Sequence, residues 1–271
     1  MRPASSFIGG SPRLHLADWG GAGPPLLLVH GMGANSHWWD RCAPLLARRF
    51  RVAALDLSGH GDSEWRADGD YRAETWVEDI ERARRALGWE RFNLCGHSLG
   101  ARLSLEYAAR CPRPLSALAL VDFLAEFSGG RFSRPRLAPQ PRYPSRAAIL
   151  KRFRLQPDRT LLSASALAAL GRLSIRREGR SFTWKYDWRC FRYRYDPIWP
   201  LLPRLPMPTL LIRGRESLVM SAQDLRRAQA ALPQARALEL PDAHHHAPLD
   251  APAALSRALG DFLAGPAGPA R

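Results

Sequence analysis

The chain has 271 residues, four scattered cysteines and a formal net charge of +15 at pH 7. This length allows one large domain, with or without an insertion, whose core needs no disulfide bonds. Cys42, Cys95, Cys111 and Cys190 form no C-x-x-C pair, which favours a reducing compartment over a disulfide framework. Because no apolar run is long enough to span a membrane and no cleavage site is convincing, we expect a cytoplasmic protein without a membrane span.

The positive charge is concentrated in one segment. Between Arg131 and Tyr195, seventeen Lys and Arg residues accompany three acids, and the rest of the chain is close to neutral. Such a segment can attract an anionic substrate, a coenzyme A or carrier-protein thioester, a nucleic acid or a membrane surface. The predominance of arginine over lysine in this segment is also what a biased base composition of the genome produces. The charge therefore identifies no partner, and we expect no nucleic-acid partner.

Strands and helices alternate in the first half of the chain. The predicted strands are Arg13–Trp19, Pro25–His30, Arg51–Leu57, the run beginning at Phe92, and Leu115–Val121. The predicted helices are Ser36–Arg48, Thr75–Leu87 and the segment after Ser98. Several of these strands are wholly apolar, as in buried parallel sheets, and the alternation is typical of βαβ units.

Residues 123–206 interrupt this alternation. They are rich in proline, arginine and aromatic residues, with helical patterns at Ser145–Phe153 and Leu161–Leu173. We interpret them as an inserted, mainly helical lid. Alternation resumes with predicted elements at Pro208–Arg213, Ala222–Leu232, Ala235–Leu240 and Ala253–Leu263. The core is therefore predicted to consist of residues 1–122 and 207–271.

Ser98 stands in the pattern G-x-S-x-G, between an apolar strand and an amphipathic helix. Gly96 and Gly100 remove side chains that would collide where the backbone folds back on itself. Such a turn exposes the hydroxyl over the end of a parallel sheet and directs the N–H of Leu99 to the same point. The pattern is loose by itself and gains specificity from this context, which makes Ser98 the predicted nucleophile.

Three adjacent histidines, His244, His245 and His246, follow the last predicted strand. A serine hydroxyl needs an adjacent base, and histidine suits that role because its pKa lies near neutral pH. The pattern alone does not choose among the three. Since adjacent side chains diverge and no carboxylate or thiol cluster completes a ligand set, we expect no metal site. We also expect no cofactor.

Four segments occur together in a specific order and spacing: HGMG at His30–Gly33, DLSGHGDS at Asp56–Ser63, GHSLG at Gly96–Gly100, and the late histidines. In this combination the chain resembles the α/β-hydrolase superfamily, in its lidded branch of serine esterases, C–C bond hydrolases and lactonases. The resemblance covers essentially the whole chain outside the lid. It implies an α/β fold, with a mostly parallel central sheet flanked by helices and an inserted lid.

The resemblance also implies that His245 is the base. In the family pattern a small residue is followed by the histidine base and then by an apolar and acidic-x-Pro stretch. His245 matches the histidine of this pattern, and His244 stands where the family usually has glycine. His244 and His246 are then left to loop packing or solvent.

The acid is the point at which the chain departs from the family. The usual acid position after the strand ending at Gly214 matches Leu218, which cannot orient an imidazole. Asp122 stands at a strand end from which some lidded relatives supply their acid, and Glu216 is the alternative. We favour Asp122 because strand ends hold catalytic groups firmly. A chain with no working acid is the third possibility.

A developing oxyanion needs two N–H donors. We predict the main-chain N–H groups of Leu99 and Met32, because the glycines on either side of Met32 let the chain turn inward. The predicted substrate pocket consists of His30, Gly31, Trp38 and Trp39. Core packing explains the two tryptophans equally well.

Together these residues predict a cofactor-independent serine hydrolase that works through an acyl-enzyme. Its expected substrate is a small ester or thioester, with an anionic or carrier-protein-bound acyl group at the basic lid. A C–C bond hydrolase or lactonase is the alternative on the same residues. Two further alternatives are an acyltransferase or lyase and a non-catalytic binding protein. Serine at position 98 argues against dehalogenation and epoxide opening, which in similar proteins need a carboxylate nucleophile.

Overall fold

A computed structural model describes residues 2–123, 139–194, 196–232 and 234–264. Its strands are β1 (Ala4–Ile8), β2 (Leu14–Gly20), β3 (Pro25–Val29), β4 (Arg51–Asp56), β5 (Phe92–His97), β6 (Leu115–Val121), β7 (Ile175–Glu178), β8 (Ser181–Trp184), β9 (Thr209–Gly214) and β10 (Arg236–Leu240). Eight of these form one sheet, in the order β1-β2-β4-β3-β5-β6-β9-β10. Strand β2 runs antiparallel to both of its neighbours, and the pairs from β4 to β10 are parallel.

The helices are α1 (Ala43–Leu46), α2 (Ala73–Ala86), α3 (Leu99–Arg110), α4 (Arg146–Leu150), α5 (Ala164–Leu173), α6 (Ala222–Ala231), α7 (Ala247–Asp250) and α8 (Pro252–Leu263). Short 3₁₀ helices span Ser36–Trp39, Trp188–Arg192 and Leu202–Arg204. The predicted α/β fold with a mostly parallel central sheet is thus confirmed. The predicted bounds of most core elements lie within two residues of those observed.

Apolar side chains are buried on both faces of the sheet. Alternate residues of β3 point to opposite faces, so that Leu27 and Val29 join the cluster containing α2, α3 and α6, while Leu26 and Leu28 join the cluster containing α1 and α8. A strand covered on both faces must be apolar at every position. This explains why the central strands form continuous hydrophobic runs.

The predicted helix Ser36–Arg48 is instead divided into a 3₁₀ helix and α1. The side chain of Asn35 accepts a hydrogen bond from the N–H of His37, which starts the first turn. Pro44 lies in the first turn of α1. Because proline lacks an N–H group, it fits the start of a helix better than its interior. The division therefore follows from these local signals.

Two strand features were absent from the sequence prediction. Strand β1 pairs with β2 although four of its five residues are exposed, so no apolar alternation marks it. In the lid, β7 and β8 form a hairpin around Gly179, which has a positive φ of 57°. The described part of the predicted lid therefore combines short helices with a hairpin and is less helical than predicted. Residues 124–138 of the predicted lid lie outside the described residues.

Buried polar groups connect residues of the predicted lid to the core. The Tyr71 hydroxyl donates to the Asp187 carboxylate at 2.7 Å, and the N–H of Asp187 donates to the carbonyl oxygen of Gly59 at 2.7 Å. On α3, Arg102 Nε donates to the Tyr193 hydroxyl at 3.0 Å. Such hydrogen bonds hold Asp187 and Tyr193 against the core, because a buried polar group left without its partner would be costly.

All four cysteines are free, and three of them are buried. Within the described ranges, no helix has both the length and the apolar character needed to cross a membrane.

Trp76 tests the packing between α2 and the sheet. Its side chain is fully buried, and its Nε1 donates to the Ser58 carbonyl at 3.0 Å. We expect Trp76→Ala to lower the free energy of unfolding by about 3–5 kcal/mol in urea titrations, because it leaves a large cavity. The matched control is Leu161→Ala, which truncates a 55% exposed side chain and should change stability by less than about 0.5 kcal/mol. Equal effects would contradict the assignment of Trp76 to the core.

Candidate active site

Ser98 lies on the turn between β5 and α3, at the carboxyl edge of the parallel strands. Its φ of 56° is in the left-handed region, and its N–H donates to the Val121 carbonyl at 2.9 Å. A Cβ on Gly96 would lie well inside 3.0 Å of the Gly100 carbonyl oxygen, and one on Gly100 would meet carbonyl oxygens of β3 and His30. The two glycines therefore permit the close approach that the sequence pattern indicated.

A chain of hydrogen bonds joins three of the predicted residues. His245 Nε2 lies 3.0 Å from Ser98 Oγ, and His245 Nδ1 lies 2.8 Å from Asp122 Oδ1. A carboxylate can only accept, so Nδ1 carries the proton and Nε2 accepts from the serine hydroxyl. Ser98 is half-buried while His245 and Asp122 are buried, which leaves the hydroxyl as the accessible end of the chain.

Asp122 follows β6 and is held by several donors. Its φ of 46° is also in the left-handed region. The Ser217 hydroxyl donates to Oδ1 at 2.6 Å, and the N–H of Gly214 donates to Oδ2 at 2.7 Å. Burial raises the pKa of Asp122, and these two hydrogen bonds act in the opposite direction. The carboxylate is thus fixed in orientation by the loop that follows β9.

Burial lowers the pKa of His245 well below its ordinary value. The ring is therefore neutral near pH 7, with a lone pair on Nε2 that faces the Ser98 hydroxyl. A neutral imidazole in this tautomer can accept a proton from the serine.

The alternative acid lies elsewhere. Glu216 is exposed, and its described contacts are made by the main chain: its N–H donates to Ala243, and its carbonyl accepts from His244 at 3.3 Å. Leu218, at the family's usual acid position, is 55% exposed. The structure therefore brings Asp122, and neither of these residues, to His245. Ser217 was missed by the sequence analysis, because its contact with Asp122 spans 95 positions.

The loop that carries the predicted oxyanion donor passes beside Ser98. A Cβ on Gly31 would lie 3.1 Å from Ser98 Cβ, so a larger residue would crowd the serine. His30 is fully buried; its Nδ1–H donates to the Gly31 carbonyl at 2.8 Å, and its Nε2 accepts from Leu57 at 3.2 Å. These contacts give His30 a positioning role for the loop. The N–H of Leu99 belongs to the first turn of α3, where N–H groups have no partner within the helix.

The two tryptophans of the predicted pocket lie in different environments. Trp39 is fully buried in the core cluster with Leu46 and Phe50. Trp38 packs in a smaller cluster with the lid residues Leu155 and Leu170. Core packing, the alternative that the sequence left open, accounts for Trp39, whereas Trp38 lies between the core and the lid.

Aromatic residues of the predicted lid lie against the loop that follows β3. Ring atoms of Phe191 and Tyr186 are within 4 Å of the position that a side chain on Gly33 would take. The rings of Trp184, Tyr186 and Trp188 stack successively. The aromatic content of this segment is evident in the sequence, whereas its contact with the loop after β3 is not.

The motif at Asp56–Ser63 has a structural role. The buried Asp56 carboxylate accepts from the N–H groups of Ser36 and Asp62 and lies 2.8 Å from His15 Nδ1. A Cβ on Gly61 would overlap this carboxylate. Asp56 therefore connects the segments that follow β3 and β4. This connection lies at the edge of the sheet where Ser98 is found.

A sheet of this order, with a serine, a histidine and an aspartate at its carboxyl edge, defines the class of α/β hydrolases. The family model described as "alpha/beta hydrolase fold" matches residues 24–252. The chain belongs to this family, which confirms the resemblance seen in the sequence.

Several known proteins are similar to the chain. A fluoroacetate dehalogenase of Burkholderia sp is 38% identical over 112 residues, which cover 40% of this chain and 37% of that protein. The esterase Rv0045c of Mycobacterium tuberculosis is 29% identical over 220 residues, or 76% of this chain and 71% of the esterase. A thioesterase domain from the curacin biosynthetic pathway has a TM-score of 0.81 at 23% identity, covering 96% of this chain and 99% of the domain. These comparisons support a hydrolase of the α/β fold.

Proposed function

We propose that the chain is a serine hydrolase that cleaves an ester or thioester through a Ser98–His245–Asp122 triad. The observation that carries the proposal is the hydrogen-bond chain from the Asp122 carboxylate through His245 to the Ser98 hydroxyl, with separations of 2.8 and 3.0 Å. This arrangement has the order of groups that activates a serine nucleophile.

The proposed reaction begins when Ser98 Oγ attacks the carbonyl carbon and transfers its proton to His245 Nε2. Asp122 stabilises the resulting imidazolium. The N–H groups of Leu99 and Met32 stabilise the oxyanion of the tetrahedral intermediate. His245 then protonates the leaving alcohol or thiol, and an acyl-enzyme remains. Water, deprotonated by His245, releases the acid and restores Ser98.

The relatives support this choice to different degrees. The esterase aligns along most of its length, whereas the dehalogenase aligns over 37% of its length. Dehalogenation in similar proteins needs a carboxylate nucleophile, and serine at position 98 does not supply one. Ester or thioester cleavage is therefore the favoured reaction.

A panel of esters and thioesters of varied acyl length and charge, together with Ser98→Ala, tests the proposal. We expect hydrolysis by the wild-type chain, labelling by a serine-directed fluorophosphonate probe, and loss of both in Ser98→Ala. A folded chain that the probe leaves unlabelled would favour the binding-protein alternative. Product analysis with added alcohol or thiol acceptors distinguishes hydrolysis from acyl transfer.

Asp122→Asn tests the choice of acid. The amide cannot stabilise the imidazolium and favours the wrong ring tautomer, so we expect kcat to fall by about 10⁴-fold. The control is Glu216→Gln, which changes an exposed side chain and should leave kcat within about twofold. A large loss in Glu216→Gln with little effect of Asp122→Asn would reverse the assignment.

An anionic or carrier-bound acyl group is the proposed substrate class, because few acids offset the lid's charge. Within the described lid, Glu178 already pairs with Arg142 and Arg176, and Asp187 pairs with Arg189. Arg192 is exposed and directly follows Phe191, whose ring lies near Gly33.

We expect Arg192→Gln to raise KM for an anionic ester about fivefold, the effect of one exposed charge pair, and to leave KM for a neutral ester unchanged. Arg177→Gln is the matched control, since it removes an exposed arginine from β7. Equal changes in KM for both esters would contradict the proposal that the charge of Arg192 attracts an anionic substrate.

A further inference from the structure

Three imidazole rings cluster beside the nucleophile. His97, which precedes Ser98, has its ring centroid 4.8 Å from that of His245, and the centroid of His246 lies 5.0 Å from that of His245. The centroids of His97 and His246 are 6.0 Å apart, so the three rings form a triangle. One ring nitrogen from each residue lies within 4.8 Å of the others. All three side chains are buried.

Hydrogen bonds fix the tautomer of each ring. His97 Nε2 lies 2.7 Å from the His245 carbonyl, and His246 Nε2 lies 2.8 Å from the Pro157 carbonyl. A carbonyl only accepts, so both rings carry their proton on Nε2 and a lone pair on Nδ1. His245 has the opposite tautomer, with its proton directed to Asp122 and its lone pair on Nε2. Each ring therefore has one nitrogen that can coordinate a cation without losing a proton.

Two of these lone pairs are unused. Among the described residues, no hydrogen-bond partner contacts Nδ1 of His97 or Nδ1 of His246, although both atoms are buried. Buried polar atoms are nearly always paired, so two in one cluster require an explanation. Histidines that bind metal typically donate their second ring N–H to a main-chain carbonyl or a carboxylate. His97, His245 and His246 all have this outer contact.

We propose that His97, His245 and His246 form a binding site for a divalent transition-metal cation such as Zn²⁺. Three neutral imidazoles and one water or hydroxyl oxygen would complete a tetrahedral coordination sphere. Because the cluster offers nitrogen ligands, it favours Zn²⁺, Ni²⁺ or Cu²⁺ over Mg²⁺ and Ca²⁺. The ligand nitrogens must approach to about 3.3 Å, which follows from bonds of about 2.0 Å, so the rings rotate slightly on binding.

The site revises the expectation from sequence that no metal is bound. That expectation considered only the three adjacent histidines, of which His244 does turn away toward the Glu216 carbonyl. His97, distant in sequence, takes its place beside the other two.

Binding at this site would inhibit the enzyme, and this consequence rests on the proposed function. A cation on His245 Nε2 occupies the lone pair that otherwise accepts the Ser98 proton. The hydroxyl then loses its base, and acylation stops. Removal of the metal by a chelator frees the Nε2 lone pair of His245 and restores the activity.

Equilibrium dialysis with Zn²⁺ tests the site without reference to any substrate. We expect the wild-type chain to bind one Zn²⁺ at this cluster, and His246→Phe to bind it at least about tenfold more weakly. His246→Gln, whose amide can still donate to the Pro157 carbonyl, should show the same loss. His244→Ala is the matched control and should bind as the wild type does. Thermal melting curves establish that each variant is folded.

The functional arm compares fluorophosphonate labelling of Ser98 with and without Zn²⁺. We expect Zn²⁺ to slow labelling of the wild type and of His244→Ala, and EDTA to reverse this effect. In folded His246→Gln, the labelling rate with Zn²⁺ should be nearly the same as the rate without it. Equal Zn²⁺ binding by the wild type and both His246 variants, or no binding by the wild type, would overturn the proposed site. Zn²⁺ binding by a chain that the probe never labels would retain the site and reject the hydrolase.

Discussion

The buried contact between Asp122 and His245 is the interaction on which the arrangement of the site depends. A carboxylate in an apolar interior is unfavourable unless donors surround it. Here the Ser217 hydroxyl, the Gly214 N–H and the His245 ring supply them. The same contact fixes the tautomer of His245 and so directs its lone pair to Ser98. The contact links three loops, which follow β6, β9 and β10.

The sheet makes this edge possible by holding two residues in a left-handed backbone conformation. Ser98 and Asp122 follow the neighbouring strands β5 and β6, with φ of 56° and 46°. The N–H of Ser98 donates to the last carbonyl of β6, and the N–H of Asp122 donates to Ile212 in β9. Such conformations are costly outside glycine and persist where the surrounding structure imposes them. Strands buried on both faces provide that constraint, so the apolar core and the polar site depend on each other.

The histidines show how one set of hydrogen bonds can serve two purposes. The contact between His97 and the His245 carbonyl holds the histidine loop against the nucleophile turn. The contact between His246 and the Pro157 carbonyl joins the same loop to the predicted lid. Both contacts leave an Nδ1 lone pair that has no hydrogen-bond partner among the described residues. A triad designed only for proton transfer needs neither of these lone pairs, which is why the cluster points to a second ligand.

The sequence by itself determined the features that arise from local chemistry. Buried parallel strands require continuous apolar runs, and the turn at Ser98 requires glycine at positions 96 and 100, so both could be recognised from residue type and spacing. The tertiary structure decided which carboxylate reaches His245. The sequence favoured Asp122 because it ends a strand and left Glu216 as the alternative, and the fold buries Asp122 beside His245 and exposes Glu216. Ser217 beside Asp122 and His97 beside His246 were likewise hidden, because contacts between distant segments leave no local periodicity in the chain.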